Sequence, residues 1–223
     1  MKEFSSSTRV KICGIRDKNH ALAAVEAGAD FIGLVFAPSK RQVSPAKACE
    51  IASAVKKSNN STKVVGVFAN APSSQVNELA DFCALDWVQL SGDESWEYCR
   101  RVIKPVIKAI RVGPQSPEEL YAELSTGNRL LSAQKFIPLL DSRVEGKYGG
   151  TGEGFDWKLA QEAAKRFPII VAGGLDPENV ARLIETVAPW GVDVSSGVET
   201  GGVKDPAKIK AFIEAVRRAD ESR

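Results

Sequence analysis

The chain has almost no histidine, and its few cysteines are scattered. His20 is the only histidine, and the four cysteines, Cys13, Cys49, Cys83 and Cys99, form no CxxC pair. A Ser-His-Asp triad or a multi-histidine metal site therefore has too few residues, and no metal is expected. The cysteine spacing favours free thiols in a reducing compartment over a disulfide framework, so we expect a cytoplasmic protein.

Long apolar runs and an excess of one charge are also missing. No stretch approaches the roughly 20 apolar residues of a membrane helix, and residues 1–8 lack the apolar core of a signal peptide. Thirty basic and 28 acidic residues leave a formal charge of +2, without a basic cluster. These absences argue against membrane and nucleic-acid partners and favour a small molecule. Residues 1–8 are expected to form a flexible tail.

Short runs rich in Val and Ile alternate with helix-period segments along the rest of the chain. We count eight such pairs, with strands predicted near residues 9–13, 30–36, 63–69, 87–90, 104–111, 135–140, 168–172 and 191–194. The chain has 223 residues and 43% hydrophobic content, which suits one large α/β core. Eight units favour a single (β/α)8 TIM barrel over residues 9–223, although a doubly wound open sheet gives the same alternation.

Four predicted helices begin with a capping residue followed by proline. These pairs are Ser44-Pro45, Ser116-Pro117, Asp176-Pro177 and Asp205-Pro206. Ser and Asp side chains accept hydrogen bonds from first-turn N–H groups, and proline has a backbone φ suited to the first helical position. The pattern predicts a helix start at each of these prolines.

Two predicted strands end in side chains that can transfer protons. The run over residues 9–13 ends on Cys13, and the run over 135–140 is followed by Asp141. In both α/β architectures the carboxyl ends of the strands share one face, where the chemistry is found. A thiol and a carboxyl facing one cavity can share proton transfer, whereas a buried cysteine can also act as a small hydrophobe.

Glycine-bearing turns follow the last two predicted strands. Gly173 and Gly174 follow the seventh strand, and Ser196 and Gly197 follow the eighth. Loops at these places in barrels commonly bind phosphate, because backbone N–H groups at a helix N-terminus favour an anion. A Gly-Gly pair can also be a tight turn, but the companion loop favours phosphate. The glycine-rich residues 149–154 match no nucleotide fingerprint and form either a flap over a ligand or a surface loop.

Two charged residues fall near the same predicted face. Arg41 follows the second strand, where its planar fork can bind a substrate carboxylate or remain solvated. Asp193 lies inside an apolar strand, where a carboxylate is costly to bury unless it is paired or functional. We favour a functional role for Asp193, with structural hydrogen bonding as the alternative.

These motifs, in this order, resemble phosphoribosylanthranilate isomerase. The resemblance runs from about Val10 to near the C-terminus and rests on residues 11–15 (KICGI), 28–33 (GADFIG), 39–41 (SKR), 65–68 (VGVF), 88–90 (VQL), 139–141 (LLD), 149–152 (GGTG), 155–157 (FDW), 172–175 (AGGL) and 192–199 (VDVSSGVE). Two positions depart from the family pattern. Gln42 stands where an aromatic residue is often found, and Ser91 stands where a histidine is frequent.

The resemblance implies a (β/α)8 barrel that converts N-(5-phosphoribosyl)anthranilate, an aminoaldose, into an aminoketose by an Amadori rearrangement without a cofactor. By motif, Cys13 would be the general base and Asp141 the general acid, and Arg41 would contact the anthranilate carboxylate. The phosphate site would be lined by Gly173, Gly174, Ser196 and Gly197. Asp193 falls in the motif of residues 192–199, which also contains Ser196 and Gly197, and is assigned to substrate binding. The enzyme is expected to be a monomer or a homodimer.

Two other interpretations stay open from the sequence. One is another phosphate-binding barrel, such as indole-3-glycerol-phosphate synthase or a sugar-phosphate epimerase. The synthase is expected to have a longer N-terminal segment and a catalytic lysine pair, whereas few residues precede Arg9 here. The epimerase needs histidines for a metal, and this sequence has one histidine. The other is a barrel that binds a sugar phosphate without catalysis, against which Cys13 and Asp141 argue together.

Overall fold

Eight parallel strands close into a barrel. The computed structural model describes residues 7–58, 61–113, 116–131, 136–141 and 157–223. Within them the strands follow one another around the barrel in chain order, and β8 pairs with β1. They are β1 (Arg9–Cys13), β2 (Phe31–Val35), β3 (Lys63–Phe68), β4 (Trp87–Leu90), β5 (Val106–Arg111), β6 (Phe136–Asp141), β7 (Ile170–Ala172) and β8 (Gly191–Val194). The closure confirms the predicted (β/α)8 barrel over the open-sheet alternative.

A helix follows each strand of the barrel. The helices are α1 (Lys18–Glu26), α2 (Pro45–Ser58), α3 (Ser73–Phe82), α4 (Trp96–Cys99), α5 (Pro117–Leu130), α6 (Trp157–Ala164), α7 (Val180–Val187) and α8 (Pro206–Glu221). Between β8 and α8 the chain makes a 3-10 turn, Ser196–Val198, and a hairpin of β9 (Glu199–Thr200) and β10 (Val203–Lys204). Periodicity does not predict this hairpin, because two-residue strands are too short to show a period.

Alternation along the strands divides the core into two layers. Side chains such as Val10 and Ile12 pack outward against the helices. The barrel interior is filled by an apolar cluster that comprises Phe31, Val65, Ile107, Ile137, Leu139, Ile170 and Ala172. Above this cluster, Cys13 packs with Val35 and Val67. The barrel centre is therefore packed and apolar, and chemistry is confined to the carboxyl ends of the strands.

Three of the four predicted helix starts are confirmed. Pro45, Pro117 and Pro206 are the first residues of α2, α5 and α8. At α5, Ser116 and Glu119 form a reciprocal capping box, in which each side chain accepts the other's backbone N–H. Each cap satisfies N–H groups that have no partner inside the helix.

The fourth predicted start, at Pro177, is wrong, because α7 begins at Val180. Asp176 does accept hydrogen bonds from the backbone N–H groups two and three residues later. However, the Asn179 side chain folds back, accepting from the Asp176 N–H and donating to the Gly174 carbonyl. These local bonds hold residues 177–179 as a turn, which competes with regular helix.

The expectation that all four cysteines are free is also wrong. Cys49 on α2 and Cys83 at the end of α3 form a disulfide. Neighbouring helices on the barrel exterior bring their Cα atoms to 4.3 Å, a distance that bridging requires and that a separation of 34 residues does not reveal. Cys13 and Cys99 are free and buried.

The chain start is attached to the last helix at Thr8. The Thr8 N–H and hydroxyl both donate to the carboxylate of Asp220, at 2.7 and 2.6 Å. Residues 1–6 of the predicted tail lie outside the described residues, so the flexibility of the tail stays a prediction. Among the described helices, none has the length and apolar character to cross a membrane.

Candidate active site

Strand register gathers the ends of β6, β7, β8 and β1 at one mouth of the barrel. Asp141 pairs with Ala172, Ala172 with Asp193, and Asp193 with Lys11. Cys13 lies two residues beyond Lys11 on β1, so both side chains point to the same side of the strand. The thiol and the carboxyl that were predicted from separate strand ends therefore face the same mouth.

Cys13 is the last residue of β1 and is only 8% exposed. Burial raises the pKa of its thiol, because the thiolate loses hydration. The positive charges of Lys11 and Lys204 act in the opposite direction. The cations around Cys13 therefore oppose the effect of burial and favour its thiolate.

Lys11 and Asp193 form a buried ion pair beside Cys13. The Lys11 Nζ lies 2.9 Å from Asp193 Oδ1, and their side chains are 1% and 9% exposed. Burial alone would lower the pKa of Lys11, but Asp193 and Cys13 raise it overall, so Lys11 stays protonated. Burial raises the pKa of Asp193, and Lys11 opposes that shift. Asp193 is thus paired with a lysine that the sequence analysis did not single out.

Asp141 closes β6 and is half-buried at the rim of the mouth. Its neighbours in register are Arg111 on β5 and Ala172 on β7. The negative charge of Asp141 adds to the rise in the pKa of Asp193, so these two carboxyl groups influence each other across β7.

Arg41 extends from the loop after β2 towards the hairpin after β8. Its Nε and Nη2 donate to the two carboxylate oxygens of Glu199 at 2.7 and 2.8 Å. The arginine side chain passes over Gly14, whose φ of +78° and missing side chain leave room for it. The structure therefore places Arg41 at the same mouth as Cys13, with one edge of its guanidinium fixed by Glu199.

Lys204 completes the network around Glu199. Its Nζ lies 2.7 Å from Glu199 Oε1 and donates to the Ser195 carbonyl at 2.8 Å. Burial alone would raise the pKa of Glu199, but hydrogen bonds and charges from Arg41 and Lys204 lower it to about 2. Burial also lowers the pKa of Lys204, which Glu199 opposes. Glu199 thus stays ionised and holds both cations in place.

The glycine-bearing loops after β7 and β8 pack directly on each other. Gly173 and Gly174 adopt left-handed φ values of +98° and +64°, which turn the chain away from β7. Ser196 and Gly197 lie in the 3-10 turn after β8. A Cβ on Gly197 would overlap the carbonyl of Leu175 in the other loop. The structure therefore brings together the four residues predicted to bind phosphate.

Gln89 is a further polar side chain inside the mouth. It is buried on β4, and its Nε2 donates to the Ser91 hydroxyl at 3.0 Å. Among the described residues, its Oε1 is the buried side-chain oxygen without a hydrogen-bond partner. Ser91 therefore accepts a hydrogen bond from the amide nitrogen of Gln89, and the amide oxygen is available to accept one from a bound molecule. Gln42, the second departure from the family pattern, donates to the Phe36 carbonyl at the exposed rim.

Sequence reasoning missed the roles of Lys11, Glu199 and Lys204. Lys11 carried a detectable signal, because it is a charged residue between Val10 and Ile12 in β1, as Asp193 is between two valines in β8. The pairing itself joins residues 182 positions apart and depends on barrel closure. The proposed flap, residues 149–154, lies outside the described residues. Within the described part, no group of three His, Cys, Asp or Glu side chains is arranged to hold a metal.

Comparison with known proteins gives consistent matches over nearly the whole chain. A family model for N-(5'-phosphoribosyl)anthranilate isomerase matches residues 10–215. The enzyme of that name from Dehalococcoides mccartyi is 49% identical over 218 residues, which is 96% of this chain and 98% of the relative.

Solved structures give the same answer. Phosphoribosyl anthranilate isomerase from Thermotoga maritima superposes with a TM-score of 0.81 at 39% identity, covering 95% of this chain and 99% of that one. Another isomerase structure, in complex with reduced 1-(o-carboxyphenylamino)-1-deoxyribulose 5-phosphate, has a TM-score of 0.78 at 38% identity and the same coverage.

The fold and its mouth define a class, the (β/α)8-barrel enzymes with acid and base side chains beside glycine-bearing loops. Within that class the matches agree in sequence and in structure. The chain belongs to the N-(5'-phosphoribosyl)anthranilate isomerase family.

Proposed function

We propose that this enzyme isomerises N-(5-phosphoribosyl)anthranilate to 1-(2-carboxyphenylamino)-1-deoxyribulose 5-phosphate, a step of tryptophan biosynthesis. The observation that carries the proposal is the convergence of Cys13, Asp141 and the two glycine-bearing loops on one mouth, in a chain of this family. The reaction moves protons and rearranges bonds within one molecule, so acid and base side chains supply the chemistry without a cofactor.

The phosphate ester is the proposed anchor of the substrate. Its oxygens would accept hydrogen bonds at the turns that contain Gly173, Gly174, Ser196 and Gly197. Binding energy from this remote group then positions the reacting carbons over the strand ends. At the other end, the guanidinium of Arg41 would bind the anthranilate carboxylate. Because Glu199 fixes the Nε edge of Arg41, the planar fork is already oriented before the substrate arrives.

Asp141 is the proposed general acid for opening the ribose ring. The ring oxygen takes the proton of Asp141 while its bond to C1′ breaks, which leaves an iminium between C1′ and the anthranilate nitrogen. A free aspartic acid loses its proton near pH 4, so the enzyme must retain it at neutral pH.

Cys13 is the proposed general base for the next step. The iminium acidifies the C2′ hydrogen, and the Cys13 thiolate removes it to give an enolamine. Tautomerisation of the enolamine then gives the ketone of the product. Free thiols carry a few per cent thiolate at pH 7, and neighbouring cations increase this fraction.

Replacing Cys13 by serine tests the assignment. Turnover of Cys13→Ser should fall by roughly 10²-fold or more, because a hydroxyl is a much weaker base than a thiolate. The assay is the loss of fluorescence of the anthranilate substrate, and affinity for the reduced product analogue should be retained. Cys99→Ser is the matched control, since Cys99 is also free and buried but lies on α4. Wild-type turnover in Cys13→Ser would remove Cys13 from the mechanism.

The assembly and location of the enzyme are part of the same proposal. One solved structure from Thermotoga maritima shows monomers generated from a dimeric phosphoribosylanthranilate isomerase, and that chain is 37% identical to this one with a TM-score of 0.79. We infer a monomer or homodimer that acts on a small molecule in the cytoplasm. Light scattering of the purified enzyme would distinguish the two assemblies.

A further inference from the structure

The Lys11 ammonium is the most deeply buried charge at the mouth, and the proton-transfer steps above do not use it. We infer that Lys11, held in place by Asp193, is a positioning residue that stabilises the thiolate of Cys13. This inference deepens the proposed function, because it explains how a buried thiol can act as a base. It also concerns a charge interaction that can be measured without substrate.

Geometry places Lys11 against the thiol. Lys11 and Cys13 are two residues apart on β1, so their side chains leave the strand on the same side. Beside them on β2 is Gly33, which pairs with Cys13 in register. A Cβ built on Gly33 would lie 3.0 Å from Cys13 Sγ and 3.0 Å from Lys11 Nζ. Both atoms thus approach one point, and the missing side chain of Gly33 leaves them room.

Asp193 explains why the lysine stays charged in this setting. An isolated ammonium in a buried site would tend to lose its proton. The carboxylate of Asp193 at 2.9 Å provides a counterion and fixes Nζ at the level of the thiol. Lys11 would therefore carry its charge throughout the reaction and would not itself exchange protons with the substrate. Its positive charge favours the thiolate over the thiol.

Other charged groups also face Cys13 and set the background for this interaction. Lys204 from β10 favours the thiolate, and Asp193 from β8 opposes it. Arg41, from the loop after β2, interacts electrostatically with Cys13, but its hydrogen bonds go to Glu199. Among the cations whose charge lowers the pKa of the thiol, Lys11 has the largest effect.

The test is the titration of Cys13 in the free enzyme. Thiolate formation is followed by ultraviolet absorbance, as the difference between each variant and the same variant carrying Cys13→Ser. In Lys11→Met the midpoint should rise by one pH unit or more, which is a tenfold or larger loss of thiolate at neutral pH. Lys11→Met leaves Asp193 without a counterion, so Lys11→Met/Asp193→Asn provides a second variant that buries no lone charge.

Lys108 provides a matched control. It is another buried lysine with a buried carboxylate partner, Glu94 at 3.1 Å, and it lies on β5. Lys108→Met/Glu94→Gln removes the same chemical groups from the core and should leave the Cys13 midpoint unchanged. An unchanged midpoint in Lys11→Met, or an equal shift in the Lys108 control, overturns the inference.

A measurement on the wild-type enzyme covers the case in which the variants do not fold. As the pH is raised, the NMR chemical shifts of the Lys11 side chain should change with the same midpoint as thiolate formation. Lys11 chemical shifts that do not change at that midpoint overturn the inference. Turnover separates this inference from the proposed function. If the midpoint rises in Lys11→Met while turnover at neutral pH is unchanged, the charge interaction stands and the role of Cys13 as base falls.

Discussion

Glu199 is the carboxylate on which two cations at the mouth depend. It accepts hydrogen bonds from both Arg41 and Lys204, and its side chain is 9% exposed. The network links the loop after β2 to the hairpin after β8, which are far apart along the chain. Losing the charge of Glu199 would therefore release two residues, one of which is proposed to bind substrate.

The acid stability of the enzyme should report this network. The pKa of Glu199 is about 2 in the folded protein, below its ordinary value of 4.5, so its ionisation favours folding. That stabilisation is complete above pH 4.5 and is lost as the pH falls towards 2. The difference in free energy of unfolding between wild type and Glu199→Gln should therefore be constant at neutral pH and shrink below 4.5.

Urea denaturation across this pH range would measure the difference. The control is Glu97→Gln, because Glu97 forms an exposed pair with Arg100 that contributes little. A difference for Glu199→Gln that persists undiminished at pH 2 would contradict the depressed pKa of Glu199.

At the scale of single residues, the sequence predicted some residues of the mouth and missed others. Cys13 and Asp141 were found because each is a reactive side chain at the end of an apolar run, and strand ends meet at one mouth. Lys11 was overlooked because lysine in a strand is usually solvated, and its partner lies on the strand that closes the barrel. The roles of all these residues in catalysis remain predictions.

Among the elements, the loops after β7 and β8 depend on each other through Gly197. Any side chain at this position meets the Leu175 carbonyl, which belongs to backbone and cannot rotate away. We expect Gly197→Ala to push the two loops apart and to weaken binding of the reduced product analogue by about tenfold or more, as lost hydrogen bonds to a charged ligand do. Calorimetric titration would measure the affinity.

Gly113→Ala is the matched control for this substitution. A Cβ there has no neighbour within 4 Å, so the loop after β5 should accept it without a change in affinity. Wild-type affinity in Gly197→Ala would place the phosphate elsewhere.

The boundaries of elements followed from the sequence where one local interaction dominates. Pro117 starts α5 because Ser116 and Glu119 cap it reciprocally, and all three lie within one turn. The start of α7 was misplaced because Asn179 offers the backbone a competing set of hydrogen bonds that only its side-chain conformation reveals.

For the whole molecule, the Cys49–Cys83 disulfide is the covalent link outside the backbone that the described residues show. It closes a loop across a separation of 34 residues, which should add about 3–4 kcal/mol to the free energy of unfolding. Reduction, or Cys49→Ser/Cys83→Ser, should lower stability by that order while turnover is kept. Chemical denaturation with and without reductant would measure it.

Thiol counting provides the accompanying check. The denatured, unreduced enzyme should expose two reactive thiols, Cys13 and Cys99, and the reduced enzyme four. Four thiols in protein that was never reduced would contradict the pairing. Equal stability of the oxidised and reduced forms would show that the link does not constrain the unfolded chain.

The overall architecture was the most predictable property of this chain. Eight alternating units with short connections leave few topologies, and the count favours closure. The disulfide was not predictable, because it depends on how the exterior helices pack side by side. The ion pairs at the mouth that join residues far apart in the sequence were not predictable either, because they also depend on how the elements pack.

Barrel closure leaves Thr8 and Asp220 in direct contact, with Arg217 donating to the Thr8 carbonyl at 2.7 Å. A short peptide could therefore join Thr8 to the end of α8 without stretching the chain between them. The enzyme could then be cut open at an exterior connection elsewhere and still assemble the same ring. Circular permutation thus provides a way to reorder the eight units while Lys11 and Asp193 remain neighbours.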